Sequence, residues 1–136
     1  MFPIDITIMV ADDSAAMRHE IKSELIELGF SNIIQVPDGL DALSKMIELR
    51  GAGKKLDLLI SDWNMPAMTG IELVQKIKAI PDFEKIPILF ITSLNDLNNV
   101  IEAVSMGVSG YIIKPVEKGI LKKKLEILHQ NLNKKK

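Results

Sequence analysis

Near the middle of the chain lies the stretch Leu56-Asp57-Leu58-Leu59-Ile60-Ser61-Asp62, a mostly apolar run, interrupted by Asp57, that ends in polar residues. Short runs that are apolar at successive positions are typical of strands buried on both faces of a parallel sheet. Ile6 to Val10 and Ile86 to Ile91 have the same character, and the shorter runs Ile33 to Val36 and Tyr111 to Ile113 are candidates for the outer strands. The sequence therefore predicts five strands, of which the run from Leu56 to Ile60 is the third.

Helical periodicity fills the segments between and after these strands. Apolar side chains recur at helical spacing in five stretches: Met17 to Leu28, Leu43 to Ile47, Leu73 to Ile77, Leu97 to Val104 and Ile120 to Leu132. Asp38 is a suitable cap for the second helix, and Thr69 with Glu72 has the spacing of a capping box for the third. Strands that alternate with helices imply right-handed crossovers, so the fold class is α/β with a doubly wound parallel sheet.

Composition narrows the classes of function. The 136 residues fit one domain, and we expect a single domain over 1–136 with residues 130–136 as a basic tail. A formal net charge of −1 gives no general attraction to nucleic acid or to anionic membranes. The lack of cysteine excludes disulfides and thiolate chemistry, and no apolar run approaches the ~20 residues of a membrane helix. We expect a cytoplasmic monomer with neither nucleic-acid nor membrane partners.

Polar residues that could perform chemistry follow four of the five strands. Asp12 and Asp13 follow the first strand, Asp62 the third, Thr92 the fourth and Lys114 the fifth. The carboxyl ends of parallel strands meet at one edge of a sheet, where ligands bind. Three carboxylates at one edge repel one another unless a cation compensates, and Mg²⁺ prefers oxygen ligands and leaves room for a phosphate oxygen. The sequence therefore predicts a Mg²⁺ site at this edge.

The same residues can perform phosphoryl transfer. A carboxylate can act as nucleophile and form an acyl phosphate. The hydroxyl of Thr92 and the ammonium of Lys114 can then donate to the phosphoryl oxygens. Taken singly, each residue also has an ordinary interpretation: Asp13 as a helix cap, Asp62 as a loop acid, Thr92 as a cap of the fourth helix and Lys114 as a solvated lysine. Their joint position at the strand ends favours the functional interpretation.

Four motifs carry a resemblance to a known family. They are Val10-Ala11-Asp12-Asp13-Ser14, Ser61-Asp62-Trp63-Asn64-Met65-Pro66, Ile91-Thr92-Ser93 and Gly110-Tyr111-Ile112-Ile113-Lys114-Pro115. In this order and at this spacing, the sequence resembles the receiver domains of two-component response regulators, from Ile6 to about Leu128. The resemblance implies the flavodoxin-like strand order 2-1-3-4-5.

The resemblance implies a role for each residue that would contact the phosphoryl group. Asp62 matches the phosphoacceptor, Thr92 the switch hydroxyl and Lys114 the lysine that pairs with phosphate. Tyr111 matches the aromatic residue that moves inward when the hydroxyl turns toward phosphate. The peptide bond between Lys114 and Pro115 is often cis in the family.

The resemblance also implies a ligand set for Mg²⁺. Asp13 matches a direct ligand, and Asp12 matches a second acid that acts through metal-bound water. Asp62 and the main-chain carbonyl of Asn64 would complete the protein's share of the coordination.

The function implied is a phosphorylation-activated switch. The chain would accept a phosphoryl group from a histidine kinase and change its affinity for an output protein, such as a flagellar motor-switch component in chemotaxis. The signal would emerge on the face formed by the fourth helix, the fifth strand and the fifth helix. The chain would be a signalling module that catalyses its own phosphorylation and dephosphorylation, rather than an enzyme.

Two alternatives remain open from the sequence. One is an intermediate of a multistep phosphorelay, which would pass the phosphoryl group to another histidine-containing domain. The other is a Mg²⁺-dependent phosphatase with an aspartyl nucleophile. Such phosphatases place a general acid two residues after the nucleophile, and Asn64 cannot act as an acid there.

Overall fold

The computed structural model describes residues 1–134, which form a five-stranded parallel sheet with five helices. The strands are β1 (Thr7–Ala11), β2 (Asn32–Val36), β3 (Leu58–Ser61), β4 (Ile88–Thr92) and β5 (Gly110–Ile113). The helices are α1 (Ala15–Glu27), α2 (Gly39–Gly51), α3 (Gly70–Lys78), α4 (Leu97–Ser105) and α5 (Ile120–Lys134). The strand order is β2-β1-β3-β4-β5, with every pair parallel, so the predicted fold class and order are confirmed.

The strands begin within two residues of the apolar runs that predicted them: β1, β3 and β4 begin later, whereas β2 and β5 begin one residue earlier. The run from Leu56 to Ile60 corresponds to β3, which begins only at Leu58, where the chain pairs with Ile8 of β1. Leu56 is nevertheless buried. A strand is defined by main-chain pairing, whereas a run of apolar residues reflects which side chains are buried. The boundaries of a strand and of its apolar run therefore differ by a residue or two.

Side chains that alternate along the strands divide the core into two layers. Met9 and Leu59 belong to one apolar cluster, whose helical members come from α2, α3 and α4. Ile8 and Leu58 belong to the other cluster, whose helical members come from α1 and α5. Both faces of the sheet are therefore covered, which explains why its central strands are apolar at successive positions.

Asp13 and Thr92, which could have been ordinary helix caps, do not cap α1 and α4. The cap of α1 is Ser14, whose hydroxyl accepts from the Met17 amide at 3.2 Å, and Asp13 does not cap it. The cap of α4 is Asp96, four residues beyond Thr92. The capping predictions at Asp38 and at Thr69 with Glu72 are confirmed.

Helix α4 departs from the sequence pattern. The stripe of Leu97, Val100, Ile101 and Val104 would ordinarily face the core, yet Leu97, Ile101 and Val104 are 70%, 56% and 56% exposed. The fully buried residue of α4 is Ala103, so the helix rests on the sheet through a small side chain. The apolar stripe correctly predicted a helix, but much of it faces solvent.

The C-terminal segment also differs from its prediction. Residues 130–134, predicted as a tail, continue α5, because Leu128 is buried and Leu132 packs against the same apolar cluster. Lys135 and Lys136 of the predicted tail lie outside the described residues. Within residues 1–134, the helices are too short or too polar to cross a membrane.

A close backbone approach places the start of α3 against the end of β3. The amide of Gly70 donates to the carbonyl of Trp63 at 2.7 Å. A Cβ atom at Gly70 would collide with the carbonyl oxygen of Asp62 and lie 3.0 Å from the Cα of Trp63. Glycine is required here because backbone, which cannot rotate away, fills the space.

The substitution Gly70→Ala should therefore lower the free energy of unfolding by about 2 kcal/mol, the usual cost of overpacking, in a urea titration. Gly51→Ala is the matched control, because a Cβ at Gly51 meets nothing within 4 Å and alanine favours a helix. We expect no loss for this control. Equal stability of the two variants would show that the approach at Gly70 is not tight.

Candidate functional site

The register of the sheet places two acidic residues side by side. Ala11 of β1 pairs with Ser61 of β3, and the Asp62 amide donates to the Ala11 carbonyl at 2.9 Å. Asp12 and Asp62 each lie one residue beyond this pair. The carboxyl ends of β1 and β3 therefore bring together the acidic residues that follow these two strands, as the sequence predicted.

Three carboxylates form a cluster at this edge. Oxygen atoms of Asp12, Asp13 and Asp62 all lie within 4.8 Å of one another. Asp12 and Asp62 are buried, with 1% and 7% of their surface exposed, whereas Asp13 is exposed. The cluster is thus enclosed by the sheet on one side and open to solvent at Asp13.

Lys114 connects two of these carboxylates. Its Nζ atom donates to Asp12 Oδ2 and to Asp62 Oδ2, both at 2.9 Å, and 18% of its side chain is exposed. Burial alone would lower the pKa of Lys114, but the hydrogen bonds to Asp62 and Asp12 outweigh it, so that the pKa lies above its usual value. Lys114 therefore carries a positive charge at neutral pH.

Main-chain amides hold the remaining oxygens of the two buried carboxylates. The Ser14 amide donates to Asp12 Oδ1 at 2.9 Å, and the Trp63 amide donates to Asp62 Oδ1 at 2.6 Å. Burial raises the pKa of Asp12 despite the Ser14 and Lys114 donors. The neighbouring negative charge of Asp62 acts in the same direction as burial, to a smaller extent.

The cluster has the chemistry of a magnesium site. With all groups ionised, Lys114 is the one cation among residues 1–134 that pairs with these three carboxylates, so the ion pairs offset only one of their three negative charges. Hard oxygen donors with an opening to solvent suit a divalent cation that keeps several waters, as Mg²⁺ does. Asp12, Asp13 and Asp62 could therefore hold a metal ion. Asn64 lies two residues beyond Asp62 and is exposed.

Thr92 and Lys114 are joined through the ends of β4 and β5. Thr92 is fully buried, and its carbonyl accepts from the Lys114 amide at 2.9 Å. The Thr92 hydroxyl accepts from the Leu94 amide at 3.4 Å. Because the hydroxyl is an acceptor here, its own proton can be donated to another oxygen.

Tyr111 lies next to Leu94, in the loop between β4 and α4. Its hydroxyl donates to the Leu94 carbonyl at 2.8 Å, and its half-buried ring lies 6.3 Å from the Phe90 ring. Burial, and then the negative charge of Asp62, raise the pKa of the Tyr111 hydroxyl. The predicted movement of this ring stays a prediction. The expected cis peptide bond between Lys114 and Pro115 is present.

Two residues that support the site were not predicted from the sequence. The buried Ser61 hydroxyl donates to the Asp62 carbonyl at 2.8 Å. The Arg18 guanidinium donates to the Asp12 carbonyl at 2.6 Å. Ser61 lies inside a quoted motif, so its polarity at a buried strand position was a usable signal. The contact of Arg18 spans six residues and corresponds to no sequence rule.

Comparison with known proteins agrees with this geometry. The profile of the response regulator receiver domain matches residues 8–126. The chain is 40% identical over 121 residues to chemotaxis protein CheY1 of Helicobacter pylori, covering 89% of this chain and 94% of that protein. It is 36% identical over 126 residues to chemotaxis protein CheY of Pseudomonas aeruginosa, covering 93% and 98%.

A solved structure shares the fold. The chemotaxis response regulator CheY4 of Vibrio cholerae superposes with a TM-score of 0.79 at 28% sequence identity, over 91% of this chain and 98% of that one. The profile match, the identity to curated relatives and the shared strand order all cover most of the chain. The chain therefore belongs to the family of response regulator receiver domains, the signalling modules of two-component systems.

Proposed function

We propose that this chain is a phosphorylation-activated switch that accepts a phosphoryl group on Asp62 from a histidine kinase. The observation that carries the proposal is the position of Lys114, which bridges Asp62 and Asp12 at 2.9 Å beside the solvent-open Asp13. A nucleophile, a fixed cation and further acids for a metal thus meet at one accessible edge. Positioning and charge neutralisation supply most of the catalysis of phosphoryl transfer.

The reaction is a displacement at phosphorus. A carboxylate oxygen of Asp62 forms a bond to the phosphorus atom while the bond from phosphorus to the kinase's histidine nitrogen breaks. The nitrogen keeps the electron pair of that bond, and the product is an acyl phosphate on Asp62. The Lys114 ammonium and the Thr92 hydroxyl are the donors we assign to the new phosphoryl oxygens. Hydrolysis of the acyl phosphate restores Asp62.

We assign the Mg²⁺ ligands to Asp12, Asp13, Asp62 and the main-chain carbonyl of Asn64. The bound cation would supply charge neutralisation at the phosphoryl oxygens. The presence of three clustered carboxylates beside a single paired ammonium within residues 1–134, and the exposure of Asp13, support this assignment. The position of Lys114 between Asp12 and Asp62 also supports the assignment of Mg²⁺ ligands, since one ammonium compensates only part of the negative charge of three carboxylates.

The response to phosphorylation would travel through the loop between β4 and α4. The Thr92 hydroxyl accepts from the Leu94 amide, and the Leu94 carbonyl accepts from the Tyr111 hydroxyl. If Thr92 turns to a phosphoryl oxygen, it gives up the Leu94 amide, and the loop and Tyr111 adjust together. The switch residues we assign are therefore Thr92 and Tyr111.

The output surface we propose is the exposed apolar face of α4 with β5 and α5. Leu97, Ile101 and Val104 on α4 and Ile113 on β5 are each more than two-fifths exposed. Apolar side chains concentrated in this way mark protein interaction sites. Because the relatives are chemotaxis proteins, we propose a flagellar motor-switch component as the partner, and we place the protein in the cytoplasm.

The first test is phosphorylation of the isolated protein. With Mg²⁺ and acetyl phosphate, we expect intact mass spectrometry to show one phosphoryl group, and Trp63 fluorescence to change because its amide contacts Asp62. Chelation of Mg²⁺ or Asp62→Asn should abolish both signals. Asp96→Asn is the matched control, because asparagine caps a helix as well as aspartate does. An adduct retained in Asp62→Asn would refute Asp62 as acceptor.

The second test concerns the output surface. Ile101→Ser should leave the free energy of unfolding within about 0.5 kcal/mol and phosphorylation unchanged, because the side chain is 56% exposed. It should weaken binding of the phosphorylated protein to a motor-switch component, measured by calorimetry. The control is Ile47→Ser on α2, which removes an apolar side chain of similar exposure, 43%, elsewhere. Equal loss of binding in both variants would contradict the assigned surface.

A further inference from the structure

The loop between β1 and α1 carries two adjacent acidic residues, Asp12 and Asp13, whose carboxylates differ in the hydrogen bonds they accept. Both oxygens of Asp12 are held, one by the Ser14 amide and one by Lys114. Asp13 is exposed, and among residues 1–134 its carboxylate has no hydrogen bond or ion pair. The position of the Asp13 carboxylate therefore depends on the main chain that carries it.

Arg18 holds that main chain. Its Nη1 atom donates to the Asp12 carbonyl oxygen at 2.6 Å, from the first turns of α1 back across the loop. This carbonyl belongs to the planar peptide group that joins Asp12 to Asp13, so the hydrogen bond restrains the orientation of the Asp13 amide and Cα. A guanidinium bond to a neutral carbonyl is charge-assisted and stronger than an ordinary one.

The guanidinium contacts the main chain rather than the acidic side chains. The ion pairs formed within residues 1–134 do not include Arg18, although two of the three clustered carboxylates are six or fewer residues away. Arg18 is half-buried, which limits the rotamers available to its side chain. Its contact is therefore suited to fixing geometry and adds little direct neutralisation.

We propose that Arg18 is a positioning residue for the metal site: it holds the Asp12–Asp13 peptide so that both carboxylates point at one cation. The proposal rests on the Mg²⁺ site of the proposed function. It also predicts the sign of a mutation. A cation that acted only through its charge would repel Mg²⁺, and its removal would tighten binding. A cation that positions the ligands has the opposite effect, so its removal weakens binding.

The test is the Mg²⁺ dissociation constant of Arg18→Met, measured by calorimetry at two salt concentrations. We expect binding to weaken about tenfold, the usual lower bound for losing a group that orients metal ligands. The loss should persist at high salt, because it does not arise from long-range charge. Arg18→Lys keeps the positive charge and can still donate a hydrogen bond to the Asp12 carbonyl, so part of the affinity should return.

A second measurement does not involve the metal. In the metal-free protein, ¹⁵N relaxation should show greater mobility of the Asp13 amide in Arg18→Met than in the wild type. Arg50→Met is the matched control, since Arg50 lies at the end of α2, 3.6 Å from Asp82 and over the Phe83 ring. It should change neither quantity, and circular dichroism verifies that every variant is folded.

Each result has one meaning. Mg²⁺ binding by Arg18→Met that is unchanged or tighter than in the wild type would overturn the positioning role and leave the proposed function intact. An equal loss in Arg50→Met would likewise overturn it, because the effect would then follow from any lost cation. Failure of the wild type to bind Mg²⁺ would overturn the metal site itself, and the positioning role with it.

Discussion

Repulsion among three carboxylates is the constraint on which the rest of this site depends. Asp12, Asp13 and Asp62 place oxygens within 4.8 Å of one another, and two of the three are buried. Such a cluster persists only if other interactions stabilise it, because like charges with little solvent around them disfavour ionisation. Lys114 offsets part of the repulsion through two short hydrogen bonds. The apolar strands, buried on both faces, supply the remaining stability.

The same cluster connects the site to the surface that we assign to the output partner. Lys114 is bonded through its amide to Thr92, whose hydroxyl holds the Leu94 amide, and the Leu94 carbonyl holds Tyr111. This loop leads directly into α4, which rests on the sheet through the small side chain of Ala103. A continuous series of contacts thus leads from the Asp62 carboxylate to the loop that precedes the exposed apolar face of α4.

Strand periodicity and the acidic motifs predicted most of the fold and the meeting of Asp12, Asp13 and Asp62, because parallel strand ends share one edge. Periodicity correctly predicted α4 as a helix, but it does not say which face of a helix is covered, so the exposure of the α4 stripe could not be predicted. Lys114 can bridge Asp12 and Asp62 only because β1, β3 and β5 lie in a particular order in the sheet. The resemblance to the family implied this order, but no local sequence pattern predicts it. The contact of Arg18 could not be predicted for a similar reason, because a side chain that binds a main-chain carbonyl produces no recognisable spacing of residues in the sequence.

The most direct measurement is the thermal stability of the wild type and of Asp13→Asn, each with and without Mg²⁺. Without Mg²⁺, Asp13→Asn should be the more stable protein, because one repelling charge is gone and the Asp13 carboxylate has no hydrogen bond within residues 1–134 that would be lost. At a Mg²⁺ concentration 100 times its dissociation constant, the wild type should gain about 2.7 kcal/mol and become the more stable of the two. A wild type that is already more stable without Mg²⁺, or equal gains in both proteins, would contradict the account.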